Sequence, residues 1–187
     1  MSLALHALNA VLVFTFLRQL TGRHWAAFFA ALLFAVHPMQ AEAVSWAAAL
    51  STVLFSTFYL TSLLAYLQWR HSPTPLWLGF SVAAFVAACL SKSAAVTLPL
   101  VLVAIDYYLN NNQLRKFWLS KIPFFIAAIA FGLYTFSTRA QEGHDIEATS
   151  AAFTAPDRFW MICQTILFYP VKLLFPLGYS VSYPFVK

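Results

Sequence analysis

Charge is what this chain has least of. Only 9% of its 187 residues are Asp, Glu, Lys or Arg, whereas a soluble domain carries roughly 25%, so there is too little charge to clothe a water-exposed surface. Acids are the scarcest: there are six, and Glu42 is the single one in the first hundred residues. Cysteine is limited to Cys89 and Cys163, both inside apolar runs. Those read as buried free thiols, since a disulfide needs a proximity that sequence does not show. No Gly-rich phosphate loop, no Cys/His spacing suited to zinc and no Asn-x-Ser/Thr acceptor is present, so neither a metal nor a cofactor is expected. The net charge of +5 is scattered over short loops without forming a stripe, and nucleic acid is not an expected partner.

What the chain has in abundance is hydrocarbon. Hydrophobic residues make up 61% of it, and the mean hydropathy is +0.74. Apolar segments fall at 2–20, 25–37, 42–69, 76–90, 94–109, 122–138 and 159–175. A bilayer crossing takes about 20 residues, so 25–37 is short and 42–69 is long enough to span with tilt. Met1 leads straight into an apolar run without a basic segment or a small-residue cleavage site, which reads as a first membrane helix and not as a cleaved signal. The expected fold class is all-α: a polytopic transmembrane bundle of about seven helices, forming a single domain over 1–187 with a polar extracytoplasmic loop at about 139–158. Pro99 is expected to kink the fifth segment and Pro170 to break the seventh.

Charge placement sets the orientation. Turns after the first, third and fifth segments hold Arg18, Arg23, Arg70, Arg115, Lys116 and Lys121, while the intervening turns hold Lys92, Arg139, Arg158 and five of the six acids. The positive-inside rule then puts the amino terminus outside. Trp25, Trp69, Trp77, Trp118 and Trp160 stand near segment ends, as an interfacial aromatic belt does. On the first segment His6 and Asn9 are three apart and share a face expected to point into the bundle. Ser45, Ala49, Thr52 and Ser56 recur at helical spacing on the third, where small side chains let helices approach.

The polar break at 37–42, His37-Pro38-Met39-Gln40-Ala41-Glu42, organises the chain, because a carboxylate between two membrane-length segments is expensive to keep. With Lys92 it supplies an imidazole, a carboxylate and an ammonium on the extracytoplasmic side, a set able to meet a phosphate-bearing headgroup. Plainer roles are open for each. Glu42 suits the positive end of the third helix, Lys92 can snorkel, and His37 can cap the segment that stops at Pro38. Asp106, about 21 Å along a helix from Lys92, is expected to pair with a cation such as Arg70 or Arg115 in a structural role.

Four strings, LHALNAVLVF, LTGRHWAAFFAALLFAVHPMQAEAVSW, LSKSAAVTLPLVLVAIDYY and KLLFPLGYSVSYP, resemble in order the membrane part of the transmembrane and tetratricopeptide-repeat O-mannosyltransferase family and its bacterial relatives. The resemblance implies a C-type glycosyltransferase fold that takes a sugar from a polyprenyl-phosphate donor on the extracytoplasmic side. It matches Glu42, Trp46 and Lys92 to family motif positions, with His37 and Pro38 opening the first motif. Where family members follow the tryptophan with an Arg and an Asp, this chain has Ala47, Ala48 and Ala49. The family's catalytic acid belongs to a loop before the point where this chain begins, and no tetratricopeptide repeat follows Lys187.

The resulting expectation is a truncated, non-catalytic C-type-like membrane domain in a bacterial inner membrane, acting as an accessory subunit beside other membrane proteins. The alternative is part of an active transferase that uses a polyprenyl-phosphate sugar. In either case His37, Glu42 and Lys92 are the substrate-binding candidates.

Overall fold

The computed structural model describes residues 1–46, 49–109, 114–141 and 155–174. Every regular element among them is helical. In chain order they are α1 (Ser2–Thr21), α2 (His24–Val36), a 3-10 turn (Pro38–Gln40), α3 (Ala41–Ser45), α4 (Leu50–His71), α5 (Pro75–Ser91), a second 3-10 turn (Ser93–Thr97), α6 (Leu98–Tyr108), α7 (Leu114–Gln141) and α8 (Ala155–Leu174). Two compact units result, Met1–Phe136 and Ser137–Lys187.

Local chemistry sets most boundaries. Gly22 ends α1 in the left-handed region (φ 69°), where its N–H reaches the Arg18 carbonyl at 2.9 Å; a residue with a Cβ is strained there. His37 is extended (φ −66°, ψ 131°), as the residue before a proline must be, and α2 stops there. Pro75 and Pro99 each occupy the first turn of a helix, α5 and α6, where the missing N–H would have no partner anyway.

Pro99 therefore stands in the first turn of α6, where the 3-10 turn Ser93–Thr97 passes into α-helix, and not within an α-helix as the sequence expectation has it. The expected continuous segment 42–69 is also divided, because α3 ends at Ser45 and α4 begins at Leu50, with the Ala49 N–H donating to the Trp46 carbonyl at 3.0 Å between them. Alanine favours helix on both sides of this redirection, so local propensity does not encode it. At the expected loop 110–121, α7 already begins at Leu114. The polar stretch 139–158 keeps helix at both edges, and residues 142–154 lie outside the described residues.

The core of the first unit centres on α4. Tyr66, Phe85, Ala88, Ala95, Leu98, Leu102 and Phe124 are fully buried and pack with Leu63, Leu67, Trp69 and Ile105. Polar groups are buried with them: His6, Asn9, Ser62, Ser81, Asp106 and Lys121. The outer surface is the reverse, with Phe29, Leu33, Val36, Leu100, Ile126 and Ile129 all exposed. Greasy outside and polar groups paired inside is what a bilayer demands, and water would penalise exposed apolar area on this scale.

Ser2–Thr21, Leu50–His71 and Leu119–Thr138 are long and apolar enough to cross a membrane, and α2 with Pro38–Ser45, bent by 51°, makes a fourth if taken as one span. Pro75–Ser91, Ser93–Tyr108 and Phe159–Phe168 are shorter. The seventeen residues of α5 reach about 25 Å against a hydrocarbon thickness of about 30 Å.

Candidate functional site

Two polar clusters sit at opposite ends of α4. The first gathers at its amino-terminal end. His6 on α1 donates through Nε2 to the Ala35 carbonyl at 3.0 Å and stacks on Phe34. Asn9 donates to the Val53 carbonyl at 3.0 Å and accepts from the Thr57 hydroxyl at 2.8 Å. These bonds staple the start of α1 to the end of α2 and the start of α4. The His6 and Asn9 face does point inward, as their spacing predicts.

His37 follows directly from that stapled end of α2. It is buried, and its Nδ1 accepts the Met39 N–H at 3.2 Å while its carbonyl accepts the Gln40 N–H at 2.9 Å. An accepting Nδ1 assigns the ring proton to Nε2. The imidazole thus caps the 3-10 turn at Pro38, close to the plainer role its sequence position suggests.

Lys92 ends α5 with an extended backbone (φ −158°, ψ 133°). Its side chain is exposed, and Nζ donates to Thr52 Oγ1 at 2.9 Å across to the first turn of α4. Val53, the next residue, is the one Asn9 holds. His37 and Lys92 accordingly belong to one end of the first unit. Glu42 is on α3, which packs on α1 and α4, so its backbone is at this end too. Its side chain lies outside the described residues.

This end offers an exposed ammonium steadied by a threonine hydroxyl, and at the same end a proline break that carries an imidazole. An ammonium binds phosphate as a point charge. Among the described residues no group of three or more His, Cys, Asp or Glu side chains is placed to hold a metal.

The second cluster is buried at the other end, about 27 Å away along α4 from Thr52 to Arg70. Asp106 accepts from the Tyr66 hydroxyl at 2.8 Å and forms ion pairs with Arg70 and Lys121. The Lys121 ammonium also lies 6.0 Å from the Tyr66 ring centroid. This binds α4, α6 and α7 together. Arg70 is the partner expected for Asp106; the side chain of Arg115 lies outside the described residues.

Tyr66, Lys121 and Thr52 are absent from the sequence-level candidates. A signal for Thr52 was present. Thr52 and Lys92 lie at nearly equal distances from the connection between α4 and α5, as facing residues of an antiparallel helix pair must be.

Comparison with known proteins places this geometry in context. The chain is similar to part of an O-mannosyltransferase. It is 34% identical over 108 residues to the Drosophila melanogaster protein named "Protein O-mannosyl-transferase Tmtc2". The similarity covers 54% of this chain and 12% of that protein, so the chain spans about an eighth of the relative's length. No protein-family model matches the chain, and no solved structure does. What stands is a helical, membrane-type protein that resembles a segment of a glycosyltransferase.

Proposed function

We propose that this chain is the membrane part of a glycosyltransferase that uses a polyprenyl-phosphate sugar, with the His37, Glu42 and Lys92 end holding the phosphate. Its amino terminus lies outside the cytoplasm and its seven apolar segments form a C-type bundle, the shorter ones crossing where the bilayer thins around them. One observation carries the reading: the exposed Lys92 ammonium, anchored on Thr52, lies at the same end as the proline break, and both strings belong to the part resembling the family. Lys92 neutralises the phosphate and helps it leave; positioned cations stabilise such developing charge. Groups for acceptor activation belong to the larger protein of which the relative is an example.

An accessory, non-catalytic role is the second reading. It is favoured by Ala47, Ala48 and Ala49 where the family carries a charged turn. The family's acid loop and repeats carry no weight here, since the matched region is an eighth of the relative.

The test is binding of polyprenyl-phosphate mannose to the full chain in lipid nanodiscs. Saturable binding is expected, weakened roughly tenfold by Lys92→Ala, as for loss of a hydrogen bond to a charged group. Absence of saturable binding, or equal affinity in the wild type, Lys92→Ala and Glu42→Ala, rejects the transferase reading and leaves the accessory one.

A further inference from the structure

The end of the first unit remote from Lys92 collects cations. With α2 returning between them α1 and α4 run parallel, and the Asn9 bonds to Val53 and Thr57 fix a register that brings Gly22 level with the stretch from Tyr66 to Arg70. Arg18, Arg23, His24, Arg70, His71 and Lys121 therefore share this end. The carboxylate described there, Asp106, is buried against Arg70 and Lys121. What faces outward is positive: Arg18 and Arg23 are both exposed, with the imidazoles of His24 and His71 exposed near them. Among the described residues neither Arg18 nor Arg23 has an ion-pair partner.

The hairpin of α1 and α2 adds an apolar wall to this charge. The Arg18 guanidinium lies 5.6 Å above the Phe14 ring, which steadies its stem along α1. Immediately after Arg23, Trp25, Phe28 and Phe29 form a ring cluster with centroid separations of 5.7 to 6.5 Å. All three rings are exposed, Trp25 by 76%. Cations at the headgroup plane over exposed aromatics fit a lipid that carries a negative headgroup and an acyl chain. An acidic protein segment would match the charge but would leave Phe28 and Phe29, deeper along α2, uncovered.

We propose that the α1–α2 hairpin is a docking surface for anionic phospholipid. Arg18 and Arg23 take the headgroup phosphate, and Trp25, Phe28 and Phe29 take the upper part of the acyl chain. This surface is separate from the Lys92 end and does not depend on the transferase reading.

The experiment reconstitutes the full chain in nanodiscs of phosphatidylcholine mixed with phosphatidylglycerol, then quantifies the lipid retained after mild detergent extraction by mass spectrometry. Phosphatidylglycerol is expected to be retained over phosphatidylcholine on the order of tenfold, with the preference collapsing in high salt. Arg18→Gln/Arg23→Gln removes the preference while keeping the unfolding midpoint in pure phosphatidylcholine. Arg18→Lys/Arg23→Lys, which keeps the charge, keeps the preference and guards against misreading a folding defect. Equal retention of both lipids by the wild type overturns the proposal. So does a preference that survives Arg18→Gln/Arg23→Gln, or one that disappears with Lys92→Gln instead.

Discussion

Asp106→Asn lowers the unfolding free energy by about 3–5 kcal/mol, the usual result of stripping one partner from a buried ion pair. The carboxylate is the hub of its cluster: Arg70 and Lys121 both pair with it and Tyr66 donates to it. Without it two cations are left side by side in a buried site, where repulsion and lost solvation add. Replacing the three charged members together removes that penalty and leaves only the Tyr66 hydroxyl without the acceptor it had. The triple change Arg70→Met, Asp106→Leu and Lys121→Met is therefore expected to recover most of the loss, because burying well-packed apolar groups is commonly neutral or better. Unfolding in mixed micelles, followed by tryptophan fluorescence, measures both. Wild-type stability in Asp106→Asn contradicts the assignment of this cluster as the tie between α4, α6 and α7.

Ser62→Leu is the second large effect, at about 2–4 kcal/mol. Ser62 and Ser81 are completely buried where α4 meets α5. Each hydroxyl donates to the other's carbonyl, at 2.8 Å from Ser62 and 2.7 Å from Ser81. Two helices approach this closely only because both side chains are small. A leucine at 62 overpacks the crossing by about 1–3 kcal/mol and abolishes hydrogen bonds worth roughly 0.6 kcal/mol each in membrane proteins. Ser62→Ala separates the terms, since it removes the hydrogen bond that the Ser62 hydroxyl donates, leaves the Ser81 hydroxyl its bond to the backbone carbonyl at 62, and keeps the volume small. It is expected to lose about 1 kcal/mol or less. A Ser62→Ala loss as large as that of Ser62→Leu would show that packing is not what this position supplies.

How far these features were readable in the sequence depends on their physical origin. Composition dictates helices in a bilayer, and Gly22, Pro38 and Pro75 mark boundaries because each restricts the backbone locally. The inward face of His6 and Asn9 follows from helical spacing. The pairing of Asp106 with Arg70 follows from the penalty of an unpaired buried acid. Other features are properties of contact. The break between α3 and α4 runs through alanine-rich sequence that is content as helix, and packing of α3 on α1 and α4 decides it. Lys121 reads as one more loop cation until α7 is seen to begin at Leu114 and carry it inward. Helical spacing on the third segment predicts close approach at Ser45, Ala49, Thr52 and Ser56, whereas the tight crossing uses Ser62 one to two turns further on. Thr52 serves instead as the support for Lys92.

The central claim is that the Lys92 end and the Arg18–Arg23 end of the first unit face opposite sides of one membrane. Site-directed labelling tests it most directly. In a background of Cys89→Ala and Cys163→Ser, Lys92→Cys and Arg23→Cys are each exposed to a membrane-impermeant maleimide in sealed, oriented vesicles. Lys92→Cys should react only from the extracytoplasmic side and Arg23→Cys only from the cytoplasmic side. Reaction of both from the same side contradicts the account.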